Sequence, residues 1–138
     1  MTTRLRLDDV RGRVGVTGPG TRLSVGEAAA RLGSTPRMLR YREALGLLPR
    51  RRTGGDHRVY GERELLASAC GAEIEERHGV SPSALAFALH VLSDPAVEAD
   101  VRLLGALSQR LAPTAIAALD FEAQKARSLL HLRGSAAI

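Results

Sequence analysis

The chain of 138 residues has one cysteine, one lysine, no tryptophan and no long apolar run. The single thiol, Cys70, excludes an internal disulfide and a cysteine-cluster metal site within one subunit, and it fits a reducing cytoplasm. No apolar stretch approaches the roughly 18 residues of a membrane span, and the N-terminus has no apolar core of a signal peptide. We therefore expect a cytoplasmic protein without membrane attachment.

Sequence signatures of catalysis and of bound cofactors are also missing. The chain has no Gly-rich phosphate loop, no nucleophile elbow and no paired carboxylates. Three of its histidines, at 78, 90 and 131, form no pair at the i, i+4 spacing of a helical metal site. We expect no enzyme activity, no cofactor and no metal ion.

The positive charge is concentrated in one part of the chain. Between residues 21 and 60, nine arginines stand against three acidic residues, a balance of +6. The balance is +2 over 1–20, −3 over 61–93 and zero over 94–138. The preference for arginine suits bidentate binding of phosphate, or else reflects a GC-rich genome. A basic stretch of this kind favours binding to nucleic acid.

The basic stretch begins with the pattern of two short helices. Ser24 and Glu27 form an S-x-x-E capping box at the start of the first helix. The turn at 33–35 supplies a glycine to end that helix and a hydroxyl to cap the second. Pro36 occupies the first turn of the second helix, which extends to about Ala44. Two short helices joined by a tight turn predict a helix-turn-helix.

A basic hairpin, or wing, is predicted over residues 50–60, with its turn at 53–56. Clustered arginines repel one another unless an anionic backbone lies beside them, so the wing should follow phosphates. In the second helix, Arg37 and Arg40 share one face and suit guanine edges. Tyr60 either packs the base of the hairpin or contacts a phosphate. The predicted DNA contacts are Thr35, Pro36, Arg37, Arg40, Tyr41, Arg42, Arg50, Arg51, Arg52, His57, Arg58 and Tyr60.

The rest of the chain reads as helices. A third helix is expected over 62–78, with Cys70 on its apolar face and a solvated glutamate run at 73–76, and a fourth begins at 81–82. Beyond residue 94, apolar residues recur at steps of three and four and predict a seam that pairs with another helix. This dimerisation seam consists of Val97, Val101, Leu104, Leu107 and Leu111. We expect a break near Ala112, before Pro113, and a last helix to about Leu132.

Residues 23–92 resemble the MerR family of transcriptional regulators. The resemblance is carried by 25–29 (VGEAA), 40–43 (RYRE), 45–48 (LGLL), 52–60 (RTGGDHRVY) and 64–65 (EL). It implies a bacterial regulator with a winged helix-turn-helix and a long helix that pairs antiparallel in a homodimer. It further implies binding to inverted repeats in promoters, distortion of the promoter spacer and contact with RNA polymerase.

The chain also departs from that family. Arg42 stands where a second aromatic is usual, which suggests a changed contact such as a phosphate clamp. The C-terminal part has no cysteine and only one aromatic, Phe121. Metal sensing through thiolates and a large aromatic effector domain are therefore not expected.

These observations predict a mainly α protein with three parts. Residues 1–20 form a flexible tail, either solvated or a basic arm; 21–93 form the winged helix-turn-helix domain; 94–138 form dimerisation helices.

The expected function is sequence-specific transcription regulation on double-stranded DNA. The alternative is an excisionase-like or architectural DNA-binding protein, which would not need the 95–132 segment. A third hypothesis, a protein-interaction adaptor without a DNA role, conflicts with the arginine-rich wing.

Overall fold

The structure, a computed structural model, describes residues 3–15, 18–50, 59–112 and 115–136. These residues are mainly helical, which confirms the predicted fold class. The chain divides into two compact units, Met1–Leu89 and His90–Ile138. The helices are α1 (Leu7–Val14), α2 (Val25–Leu32), α3 (Pro36–Ala44), α4 (Glu62–His78), α5 (Pro82–Ser93), α6 (Pro95–Leu107) and α7 (Ala115–Ala136).

Helix α1 corrects the expectation of a flexible tail over residues 1–20. Its valines Val10 and Val14, one turn apart, are each only 3% exposed and belong to the core of the first unit. Gly12 lowers the intrinsic helix propensity of this short segment. Packing of the two valines against α4 and α2 therefore stabilises the helix, as tertiary contacts do for most short helices.

Helices α2 and α3 form the predicted helix-turn-helix. Ser24 Oγ accepts the Glu27 N–H at 3.2 Å, and Glu27 Oε1 accepts the Ser24 N–H at 3.4 Å. Gly33 ends α2 in the left-handed conformation, with φ at 62°. Thr35 then caps α3, its Oγ1 accepting the Met38 N–H at 3.1 Å. The predicted capping box and turn are confirmed, and the second helix is capped by the threonine of the turn.

An antiparallel bridge joins the chain just before α2 to the chain just before α4. The Leu23 N–H donates to the Tyr60 carbonyl at 2.9 Å, and the Tyr60 N–H donates to the Leu23 carbonyl at 2.8 Å. The tip of the predicted wing, residues 51–58, lies outside the described residues. The bridge thus holds the start of α2 and the start of α4 next to each other.

Helix α4 is the central element of the first unit. It has the predicted bounds, and Gly79 ends it with φ at 63°. Its residues Leu65 and Ala69 are buried among side chains from α1, α2 and α3. Helices α1 and α2 pack against α4, while α3 packs along α2. Tyr60, 1% exposed, completes this core beneath the bridge.

In the second unit, α6 ends earlier than predicted. The seam was expected to continue through Leu111, but the helix stops at Leu107. Gln109 adopts a left-handed φ of 60°, and the Arg110 N–H donates back to the Gly105 carbonyl at 2.9 Å, a Schellman-type ending. Leu111 folds over Gly105, where an added Cβ would clash with Leu111 Cδ1. Leu111 therefore caps the helix end instead of extending its stripe.

Candidate nucleic-acid interface

The two faces of α3 differ in chemistry. Arg37 and Arg40, three residues apart on one face, are exposed, and Tyr41 beside them is 45% exposed. On the opposite face, Leu39 is 1% exposed and Arg42 is 7% exposed. Within the described residues, no ion pair holds Arg37 or Arg40. The helix therefore presents two uncommitted guanidinium groups to solvent while its other side is fixed in the core.

The remaining predicted contacts fall into three groups. Thr35 is exposed at the start of α3, Pro36 is half-buried next to it, and Arg50 is exposed after the helix. A second group lies outside the described residues: Arg51, Arg52, His57 and Arg58. The third group consists of Tyr60 and Arg42, which are buried. Thr35 and Pro36 therefore lie beside the exposed arginines of α3, at the start of the same helix.

The buried pair corrects the prediction for two residues. Tyr60 packs in the core, so the structure supports the packing role considered for it and not contact with a phosphate. Arg42 was predicted to contact DNA, but its guanidinium turns inward and binds Glu75 of α4. A buried charge requires a partner, and Glu75 supplies one. Sequence reasoning missed this contact because the two residues are 33 positions apart.

The Arg42–Glu75 pair is a two-point ion pair. Arg42 Nη2 donates to Glu75 Oε1 at 3.0 Å, and Nη1 donates to Oε2. The two side chains are 8% and 14% exposed. The pair lies over Gly71, where an added Cβ would lie 3.2 Å from Arg42 Nη1 and 3.6 Å from Leu85 Cδ2. The absence of a side chain at Gly71 thus leaves the space that the guanidinium occupies.

The neighbouring glutamates of α4 also form ion pairs with arginines. The acidic face that was expected to be only solvated therefore also binds arginine side chains of the same unit. Arg13 of α1 donates to Glu76 at 3.0 and 3.1 Å and also to Glu73, and Arg77 Nε donates to Glu73 at 3.0 Å. Hydrogen bonds from Arg77 and then Arg13 hold the pKa of Glu73 below its usual range. The bond from Arg13 lowers the pKa of Glu76 in the same way. Arg13 is therefore bound within the unit instead of extending as part of a free basic arm.

A small cavity of about 30 Å³ lies behind α3. Leu39 and Arg42 of α3, Ser68 of α4 and Arg13 of α1 line it, together with Leu32 and Ser34. The Ser68 hydroxyl is buried, and no hydrogen-bond partner for it exists within the described part of the chain. The inner face of α3 is therefore incompletely packed at this point.

The described residues contain no cluster of three His, Cys, Asp or Glu side chains suited to a metal ion. Among the same residues, no helix is both long and apolar enough to cross a bilayer. Cys70 is partly buried, and burial followed by the nearby Glu73 raises the pKa of its thiol, so the neutral form is favoured.

The chain was compared with curated proteins, solved structures and protein-family models. No curated protein and no solved structure matched the chain. A family model did match, and its boundaries agree with the structure: the segment starts at the N-cap of α2 and ends at the bridge residue Tyr60. Residues 24–60 match the MerR family regulatory protein, which confirms the resemblance over that segment and indicates a DNA-binding transcription regulator.

Proposed function

We propose that the protein is a homodimeric regulator that reads inverted repeats in promoter DNA through α3. The observation that carries the proposal is the exposed arginine face of α3, opposite a face buried in the core. This face lies inside the segment that matches the MerR family regulatory protein. A helix fixed on one side and basic on the other suits insertion into the major groove.

Within that groove, each residue has a distinct role. Arg37 and Arg40 contact base edges, since arginine binds guanine O6 and N7 bidentately. Thr35 and Pro36 lie at the N-terminal end of α3, where the helix dipole favours a phosphate. Arg50 and the wing residues follow the backbone and set the register. The family resemblance gives Arg52 and Arg58 as wing contacts, and the charge of the predicted hairpin adds Arg51 and His57.

Helix α6 supplies the proposed dimer contact. None of its residues is buried in the single chain. Leu104 and Leu107 are 65% and 61% exposed, and Val97 and Val101 lie on the same stripe. Leucines exposed on one stripe of a helix favour pairing with a second copy. A dimer would place two α3 helices about 34–36 Å apart, or a multiple of that distance, matching successive turns of one DNA face.

The assembly can be tested without DNA. Leu104→Glu should convert the dimer to a monomer, because a charge at a buried seam must be desolvated. Ala99→Glu is the matched control, since Ala99 is exposed on the opposite side of α6. Sedimentation of both variants measures the change, and an unaltered Leu104→Glu dimer would remove α6 from the interface.

Distortion of the promoter spacer and recruitment of RNA polymerase complete the proposal. Both follow from the family resemblance. The energy needed to bend or untwist the centre of the site depends on the base sequence there. The central base-pair steps should therefore influence affinity although the protein does not contact them. In this way, a dimer bound at both half-sites would change the geometry that the polymerase meets.

The decisive experiment is selection of genomic fragments at about 150 mM salt, the physiological range, followed by footprinting. An inverted repeat between promoter elements supports the proposed regulator. Direct repeats, or enrichment without a motif, favour the excisionase-like or architectural alternative. Arg37→Ala should relax one base position at a cost of about 1–3 kcal/mol, whereas Arg51→Ala should mainly reduce the salt slope.

A further inference from the structure

The Arg42–Glu75 ion pair connects two helices whose relative orientation matters for reading DNA. Helix α3 packs along α2, and α4 packs against α1 and α2. The ion pair joins the reading helix α3 directly to the central helix α4. It does so from the face of α3 that is opposite Arg37 and Arg40.

We propose that Arg42 and Glu75 are positioning residues that fix the orientation of α3 for base reading. The proposal rests on the function proposed above and adds a residue pair through which α4 sets the pose of the reading helix. Neither residue would contact DNA. Arg42 would act through the placement of Arg37 and Arg40.

The geometry of the pair suits this role. A planar guanidinium bound at two points to a carboxylate fixes an angle as well as a distance. Because both side chains are largely buried, separating them would leave an uncompensated charge in the interior. The cavity lined by Leu39 and Ser68 leaves the adjoining part of α3 without tight packing. The ion pair therefore adds an angular restraint on α3 to the anchoring that Leu39 provides in the core.

Base reading is sensitive to such an orientation. Bidentate contacts need their groups held within about 0.5 Å and 10–20° of the productive geometry. Contacts to phosphates are less directional, because they depend mainly on charge. A small rotation of α3 should therefore reduce discrimination between sites while leaving non-specific binding unchanged.

A direct phosphate contact by Arg42, as the sequence alone suggests, makes the opposite prediction. In that case Glu75 would restrain a DNA-binding cation, and Glu75→Gln would release it and strengthen binding. If Arg42 is a positioning residue, Glu75→Gln weakens the two-point pair and discrimination falls. The same substitution thus separates the two roles by the sign of its effect.

Gly71→Ala tests positioning without removing a charge. The added methyl would lie 3.2 Å from Arg42 Nη1, so the guanidinium must shift by a few tenths of an ångström. Alanine raises helix propensity inside α4, which favours folding. Thermal unfolding of this variant, measured alongside its binding, separates a loss of discrimination from a loss of stability.

The experiment compares wild type, Glu75→Gln, Gly71→Ala and the control Glu76→Gln. The control makes the same chemical change one residue along α4, at a carboxylate that binds Arg13 of α1. Binding is measured for the selected site and for a single-mismatch site across a salt series. We expect Glu75→Gln and Gly71→Ala to lose about tenfold in discrimination, equivalent to one weakened base contact, with an unchanged salt slope. The control should keep its discrimination.

A second measurement does not depend on DNA. Hydrogen exchange of the α3 amides should accelerate in Glu75→Gln relative to those of α2, and should not do so in Glu76→Gln. Unchanged discrimination together with unchanged exchange would overturn the positioning role. So would a salt slope that falls by about one unit when the cation is removed in the double variant Arg42→Gln with Glu75→Gln, because such a fall marks a phosphate contact. If wild type selects no motif, the proposed function fails, and the exchange result still decides whether the pair fixes α3.

Discussion

The docking of α1 makes a strong prediction about stability. Val10 and Val14 are each 3% exposed in the core that also holds Tyr60 and Leu65. Truncating a buried valine to alanine removes two carbons, and each buried carbon contributes about 0.8 kcal/mol. With the cavity term, we expect Val10→Ala and Val14→Ala each to lower the free energy of unfolding by about 2 kcal/mol.

The assay is urea denaturation followed by helical circular dichroism. A loss of about 2 kcal/mol should lower the denaturation midpoint by roughly 1 M, since small domains have slopes of about 1–3 kcal/mol per M. Val80→Ala is the matched control, because Val80 follows α4 and is 36% exposed. The control should change stability by less than about 0.5 kcal/mol. If Val14→Ala behaved like the control, α1 would be the flexible tail that the sequence suggests, and the argument for docking would be wrong.

Three further predictions follow from single features. Ser68→Ala should raise the free energy of unfolding by about 1 kcal/mol in urea denaturation, because it removes a buried hydroxyl that has no hydrogen-bond partner among the described residues. Gln109→Gly should relieve left-handed strain of about 1 kcal/mol, and slower hydrogen exchange of the Arg110 amide would register it. The lowered pKa values of Glu73 and Glu76 contribute stability that is complete above the unfolded pKa of about 4.3 and is lost as the pH falls through their folded values. Thermal unfolding between pH 5 and 3 should show that loss, and Glu76→Gln should reduce it.

Local signals in the sequence were sufficient for the helix-turn-helix. The capping box at Ser24 and the left-handed Gly33 act within a few residues of themselves, so their spacing predicts their structure. The same holds for α4, which ends at Gly79 as predicted. The exposed face of α3 also follows from spacing, because residues three apart share a side of any helix.

Two of the contacts that sequence reasoning missed join distant parts of the chain. Arg13 binds Glu76, which is 63 residues away in the sequence, and Arg42 binds Glu75, which is 33 residues away. Charge counting places Arg42 among the DNA contacts and Arg13 in a solvated tail or a basic arm, because a formal charge carries no information about its partner. The early end of α6 was missed for a related reason: Leu111 continues the apolar spacing, yet it packs back on Gly105. The spacing of apolar residues predicts that a residue will be covered, but it does not predict which surface the residue packs against.

The bridge between Leu23 and Tyr60 has a consequence for modularity. Its paired hydrogen bonds, at 2.8 and 2.9 Å, bring the two ends of the matched segment side by side. A segment whose ends meet can be exchanged for another of the same span without moving the rest of the scaffold. Transplanting residues 24–59 from a relative would need only the same pair of anchor points and a compatible inner face on its second helix. The bridge therefore allows the segment that contains α3 to be replaced as one unit, provided that the buried positions of α2 and α3, such as Ala28, Ala29 and Leu39, keep side chains that fill the same core.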